Sequence, residues 1–184
     1  MSGSVGDNPY RASGVIAAAG GGGGGKILQV VSTTWDDNQT GTSSGGTFAD
    51  ITQANLAITP ASTSNKVLVN FSISAGASDY AIFLKLQHNG TGSYVDIAGC
   101  LSTQGTGNRT NMTTIIDGDP YAGNNAYTYL DSPSKDSAFN YQVQIAVRYS
   151  AAPAWYVNYT DDVRDESYVP FFTSTLTLTE IDGT

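Results

Sequence analysis

The residues that could do chemistry in this chain are few and scattered. His88 is its single histidine, so a two-histidine metal site cannot form, and a serine–histidine–aspartate relay would have to run through it. No G-x-S-x-G elbow accompanies it, and His88 stands beside an Asn89-Gly90 turn signal. Glutamate is confined to Glu166 and Glu180. Glycoside hydrolysis needs two facing carboxylates about 5–9.5 Å apart. Sixteen acidic residues in a β protein give many accidental pairs, so such a pair would not by itself mark a hydrolase. Gly20 to Lys26 matches the start of a phosphate loop, but Ile27 occupies the place of the magnesium-binding Ser or Thr. Asp117-Gly118-Asp119 and Asp161-Asp162 are clustered loop carboxylates that suit calcium, without the full calcium-loop pattern. Cys100 is the one cysteine, which excludes an intrachain disulfide and reads as a small buried hydrophobe. The expectation is a protein with no catalytic residues, no cofactor and no metal.

The elements that must hold these residues are strands. Charged residues are 13% of the 184, about half the usual share, and the polarity comes from Ser, Thr, Asn and Gly beside 11 Tyr. That mixture suits pleated sheet and turns better than solvated helices. The net charge of −8 argues against nucleic-acid binding through a general basic field. No apolar run approaches the roughly 18 residues of a membrane span, and no secretory signal is visible at the N-terminus.

Strand signals run from residue 26 onward. Lys26–Thr34, Thr47–Gln53, Leu56–Thr59 and Lys66–Ser74 come first, the last with Val67, Val69, Phe71 and Ile73 on one face. Tyr80–His88 and Ser93–Ala98 flank Asn89-Gly90 as a hairpin. Phe139–Tyr149, Trp155–Thr160 and Phe172–Ile181 follow, the last with Thr173, Thr175, Thr177 and Thr179 on one face. Thr103–Asn111 and Asp117–Asp136 read as long loops. Eight to ten short strands at this spacing predict an all-β antiparallel sandwich of jelly-roll type over residues 26–184.

Six consecutive glycines, residues 20–25, form a linker with a reach of about 20 Å. Residues 1–19 before it are too short to fold alone but are not low-complexity. Asp7, Asn8, Pro9, Tyr10, Arg11, Val15 and Ile16 combine a turn signal, an aromatic, a cation and an apolar pair. A peptide of that kind on a flexible linker reads as an anchor ordered by its partner. Within the long loops, Tyr121, Tyr127 and Tyr129 are the candidate contacts for a receptor or glycan. Trp155 and Tyr159 alternate onto one face and read as core.

The runs Gly25-Lys-Ile-Leu-Gln-Val-Val, Phe48-Ala-Asp-Ile, Leu56-Ala-Ile-Thr-Pro, Asn65-Lys-Val-Leu-Val and Ser174-Thr-Leu-Thr-Leu-Thr-Glu-Ile, in that order, resemble the β domains of bacteriophage virion proteins. The similar proteins are capsid decorations and fibre tips, particularly of phages of marine bacteria. The resemblance implies a non-enzymatic component on the virion surface, assembled in the host cytoplasm. It also implies a homotrimer, tied to capsid or tail proteins by the N-terminal arm and carrying no catalytic residues. The absence of a shaft or heptads between arm and knob favours a decoration or very short fibre. The alternatives are a receptor- or glycan-binding fibre tip and, behind it, a polysaccharide hydrolase. Neither nucleic acid nor membrane insertion enters any of these readings.

Overall fold

The computed structural model describes residues 25–43, 46–78, 81–101, 112–114, 122–148, 153–160 and 171–183. They form two antiparallel sheets packed face to face as a sandwich. The strands are β1 (Ile27–Trp35), β2 (Gln39–Thr42), β3 (Ala49–Ile58), β4 (Lys66–Ala77), β5 (Ile82–His88), β6 (Val95–Asp96), β7 (Met112–Thr114), β8 (Gly123–Asp131), β9 (Phe139–Val147), β10 (Ala154–Val157) and β11 (Ser174–Ile181). One sheet runs β1-β11-β4, with β8 on the other side of β4. The second runs β3-β9-β5, with β6 and β7 pairing opposite halves of β5. The orders β1-β11-β4-β8 and β3-β9-β5-β7 are those of a jelly roll. The expected fold class is therefore the observed one.

Period-two alternation builds the core. Val67, Val69, Phe71 and Ile73 of β4, Leu176 and Leu178 of β11, and Tyr141, Val143, Ile145 and Val147 of β9 are buried between the sheets. Each such side chain contributes about 1.5–3 kcal/mol on leaving water. Thr47–Gln53 and Leu56–Thr59, expected as two strands, are one strand, β3. Its pairing with β9 shifts register between Asp50 and Asn55, and this irregularity breaks the alternation in the sequence.

Three expectations need correction. The stretch 117–136 is not one loop, since residues 123–131 form β8, paired to β4 along its whole length. Strands β2 and β7 also went unanticipated. The hairpin at Asn89-Gly90 exists, but its left-handed residue is Gly92 (φ 101°), not the Asn-Gly pair. Gly92 N–H donates to Asn89 O at 2.8 Å, so the chain reverses over a longer loop before the two-residue β6.

Strands β2 and β10 are an addition to the eight-stranded plan. β10 pairs Ala75–Ala77, the end of β4 beyond the Lys66–Ser72 span that β11 covers, and β2 pairs β10 in turn. Trp155 lies across Gly41 in this pair, where a Cβ would run into the indole ring.

Candidate functional site

The domain has two distinct ends. Ile27 of β1 lies opposite Ile181 of β11, and Ile181 opposite Lys66 of β4. Residue 25, where the glycine run ends, is therefore at the same end as residue 183. The β3–β4 and β8–β9 connections are there too, because Ile58 faces Phe139 and Val67 faces Asp131. The opposite end carries the β2–β10 addition, and there β4, β7 and β9 end and β5, β8 and β11 begin.

A buried carboxylate braces the first end. Glu180, 1% exposed, points inward in register with Leu176 and Leu178. It accepts hydrogen bonds from Gln29 Nε2 (2.6 Å), Asn65 Nδ2 (2.5 Å) and the Ala61 backbone N–H (2.7 Å). Burial pushes its pKa up, but these three donors outweigh burial and hold the carboxyl below the ordinary range. Gln29 also donates to Thr59 O, and Asn65 Oδ1 accepts from Gly183 N–H. One side chain thus ties β1, β11 and the β3–β4 connection at the point where the glycine run joins the domain.

A buried amide organises the other end. Asn158 is fully buried with φ 65°, a left-handed conformation that Asn tolerates better than most residues. Its N–H donates to Ser74 O (2.8 Å), and its O accepts from Phe172 N–H (2.9 Å). Its Nδ2 donates to Trp35 O (3.1 Å) and Asp37 O (3.3 Å), while Oδ1 accepts from Ser174 Oγ. β1, β4, β10 and β11 meet on that residue.

The outward faces of the two sheets differ in chemistry. On β3-β9-β5-β6 an amide and carboxylate network runs across the strands. Gln144 and Gln142 both donate to Asp50 Oδ1 (2.7 and 3.2 Å). Gln142 also donates to Gln87 Oε1 (2.9 Å), and Gln87 to Asp96 Oδ1 (2.6 Å). Lys85 pairs with Asp96 at 3.0 Å and lies 4.2 Å from the centre of the Phe48 ring.

On β1-β11-β4-β8 the face is nearly free of charge. One cross-strand row is Ser32–Thr177–Asn70–Thr128, with Ser32 Oγ and Thr177 Oγ1 at 2.8 Å and Asn70 Nδ2 donating to Thr128 Oγ1 at 2.8 Å. The next row, towards the residue-25 end, is Val30–Thr179–Leu68–Leu130, in which Val30 and Leu130 are exposed. Ile27 and Ile181 continue it, and Lys66 at the end of the face is its one charged residue among those described.

The residues singled out in the sequence fall as follows. Asp7, Asn8, Pro9, Tyr10, Arg11, Val15, Ile16 and Tyr121 lie outside the described residues, as do Asp117, Asp119, Asp161, Asp162 and Glu166. Tyr127 and Tyr129 are not loop residues. They sit in the inward register of β8 and pack against the core. The Tyr127 hydroxyl donates to Cys100 O at 3.4 Å, and the Tyr129 hydroxyl abuts Gly99. Burial is the main cause that pushes both phenols up. His88 packs edge-on against Phe139 and Tyr141, with ring centres 5.8 Å apart in both pairs. Its Nδ1 accepts from Gly90 N–H at 3.0 Å, so it staples the hairpin. Cys100 is buried, as expected, with its thiol directed at Ile97 O. Trp155 and Tyr159 are buried, as expected, and so is Tyr156 in the opposite phase of the strand. Among the described residues no group of three or more His, Cys, Asp and Glu side chains is placed to hold a metal ion.

No protein-family model matches the chain, and no curated protein matches it. Its fold aligns with viral capsid proteins among solved structures. The crystal structure of the infectious bursal disease virus VP2 subviral particle aligns at 12% identity over 83% of this chain and 37% of that one, with a TM-score of 0.36. The structure of the Gt strain of that virus aligns at 11% identity over 84% of this chain and 38% of that one, with a TM-score of 0.37. This chain spans well under half the length of those neighbours.

Proposed function

We propose that the chain is a non-enzymatic structural component of a bacteriophage virion, held by residues 1–19 and presenting the sandwich on the particle surface as a decoration or short fibre. The observation that carries this reading is the polarity of the domain. The glycine run ends at one end, beside the Glu180 brace, and the β2–β10 addition lies at the other. A protein tethered at the first end directs the second outward. The sequence resemblance supports the setting, and the low charge and jelly-roll fold agree with it. Ordering ten arm residues costs on the order of 10–20 kcal/mol of backbone entropy, so the partner must meet them with many contacts at once. A groove or free sheet edge on a capsid or tail protein supplies contacts in that number.

Deletion of residues 1–19 tests the proposal. The truncated chain should keep its β circular dichroism spectrum and its melting temperature, and fail to load onto particles lacking the protein. Loading at full occupancy would move the attachment surface to the sandwich and overturn the arm.

A further inference from the structure

We infer that the outward face of β1-β11-β4-β8 is a self-association surface, on which a second copy of this chain docks through the same face. This goes beyond attachment by the arm; the surface itself is independent of the arm, and only its filling on the particle rests on that reading. Charge picks the occupant. At a net charge of −8, two copies repel through most approaches. The other sheet presents Asp50 and Asp96 outward. Among the described residues Lys66 is the sole charge in the outward register of β1-β11-β4-β8, at the end of the patch, so two such faces meet with little electrostatic cost.

The chemistry of the face is compatible with itself. The hydroxyls and the amide of the Ser32–Thr177–Asn70–Thr128 row are bonded in pairs along the sheet, and their remaining donors and acceptors are neutral groups that the same row on a second copy can meet. Beside them Val30 is 57%, Ile27 56% and Leu130 44% exposed, an apolar band crossing from the first strand to the last. A partner with an apolar band in the same place covers it.

Size sets the strength. Four strands about 4.8 Å apart and some eight residues long present roughly 450–500 Å². Two faces together bury about 1,000 Å², the lower limit for a specific interface and short of the 1,200–2,000 Å² of a stable one. The pairing is therefore weak in dilute solution. It fills once arms hold neighbours at an effective concentration in the millimolar range.

Sedimentation of the full chain between about 10 μM and 1 mM should show a reversible monomer–dimer equilibrium. Thr177→Asp and Thr177→Lys, near the centre of the face, should each weaken dimerisation roughly tenfold or more by placing like charges opposite one another. An equimolar mixture of the two should restore it, which a merely structural defect would not allow. If either variant loses the native circular dichroism spectrum, Thr128→Asp and Thr128→Lys on β8 take their place. A monomer throughout the range, a trimer, or a dimer indifferent to these charges would overturn the inference. So would a full chain that stays monomeric while the chain lacking residues 1–19 dimerises, for then the arm covers the face.

Discussion

Replacing Glu180 by alanine removes the acceptor at the centre of the residue-25 end. The three donors are not left equal. Gln29 keeps Thr59 O as an acceptor, and Ala61 is exposed enough for water to reach its N–H. Asn65, 3% exposed, loses the partner of its Nδ2 with no water at hand. One orphaned buried amide costs about 1–3 kcal/mol, and the lost hydrogen bonds to a charged group bring the total to about 3–5 kcal/mol. For a domain of this size that lowers the melting temperature by roughly 6–20 °C. Glu180→Gln keeps the volume but turns an amide N–H towards one of the donors, and should cost about half as much. The two variants also separate the charge from the shape. The folded carboxyl titrates below its ordinary value of 4.5. Its contribution is thus complete above that pH and is lost as pH falls through the lower, folded-state value. Thermal melts from pH 7 down to pH 3 should show wild type losing stability more steeply than Glu180→Gln at the acid end. A Glu180→Ala chain melting within about 2 °C of wild type at pH 7 would refute the brace. So would parallel acid profiles for wild type and Glu180→Gln.

Asn158→Gly keeps the left-handed backbone but forfeits the side-chain bonds, and should cost about 2–4 kcal/mol in denaturant unfolding. Asn158→Asp should cost more, because an acceptor then faces Trp35 O and Asp37 O. Gly41→Ala drives a methyl into the Trp155 ring and should destabilise by about 1–3 kcal/mol, with a shift in tryptophan emission reporting the displaced indole. The Tyr141 hydroxyl is pushed far up, by burial first and by Asp131 beside it, to which it donates at 2.7 Å. Because its folded value is raised, its stabilisation is complete below about pH 10 and is lost as pH rises further. Tyr141→Phe should cost about 1–2 kcal/mol at neutral pH and resist alkaline unfolding better than wild type, as followed by circular dichroism.

The core strands were legible because their inward residues are uniformly apolar. β8 was not, for a specific reason. Its inward register is Asn125, Tyr127, Tyr129 and Asp131, polar at both ends. Asn125 spends its amide on Ile73 O and Gly123 O, and Asp131 accepts from Tyr141, bonds that no local pattern reveals. Turn residues flanking it then made the whole stretch read as loop. β10 was legible as part of Trp155–Thr160, but not its direction: both its faces are covered, so alternation did not say which one turns inward. Glu180 did leave a trace. It occupies the buried phase after Leu176 and Leu178, and a lone charge in an apolar register signals a partnered carboxylate. Asn158 left none, because a left-handed turn inside the fold needs tertiary contacts to be seen.

The place of β11 in its sheet bears on how the chain reaches this fold. β11 is the last of these strands in the chain, yet it lies between β1 and β4, hydrogen-bonded to both. Partners such as Val30 and Thr179 are separated by nearly the whole domain. Loop closure on that scale makes the step slow compared with hairpin formation. Until residue 174 onward is available, β1 and β4 each present an open edge, and Val67, Val69 and Phe71 lack Leu176 and Leu178 beside them. Nascent chains at that stage expose two strand templates at once, the condition under which β proteins aggregate or pair with a neighbour's strand.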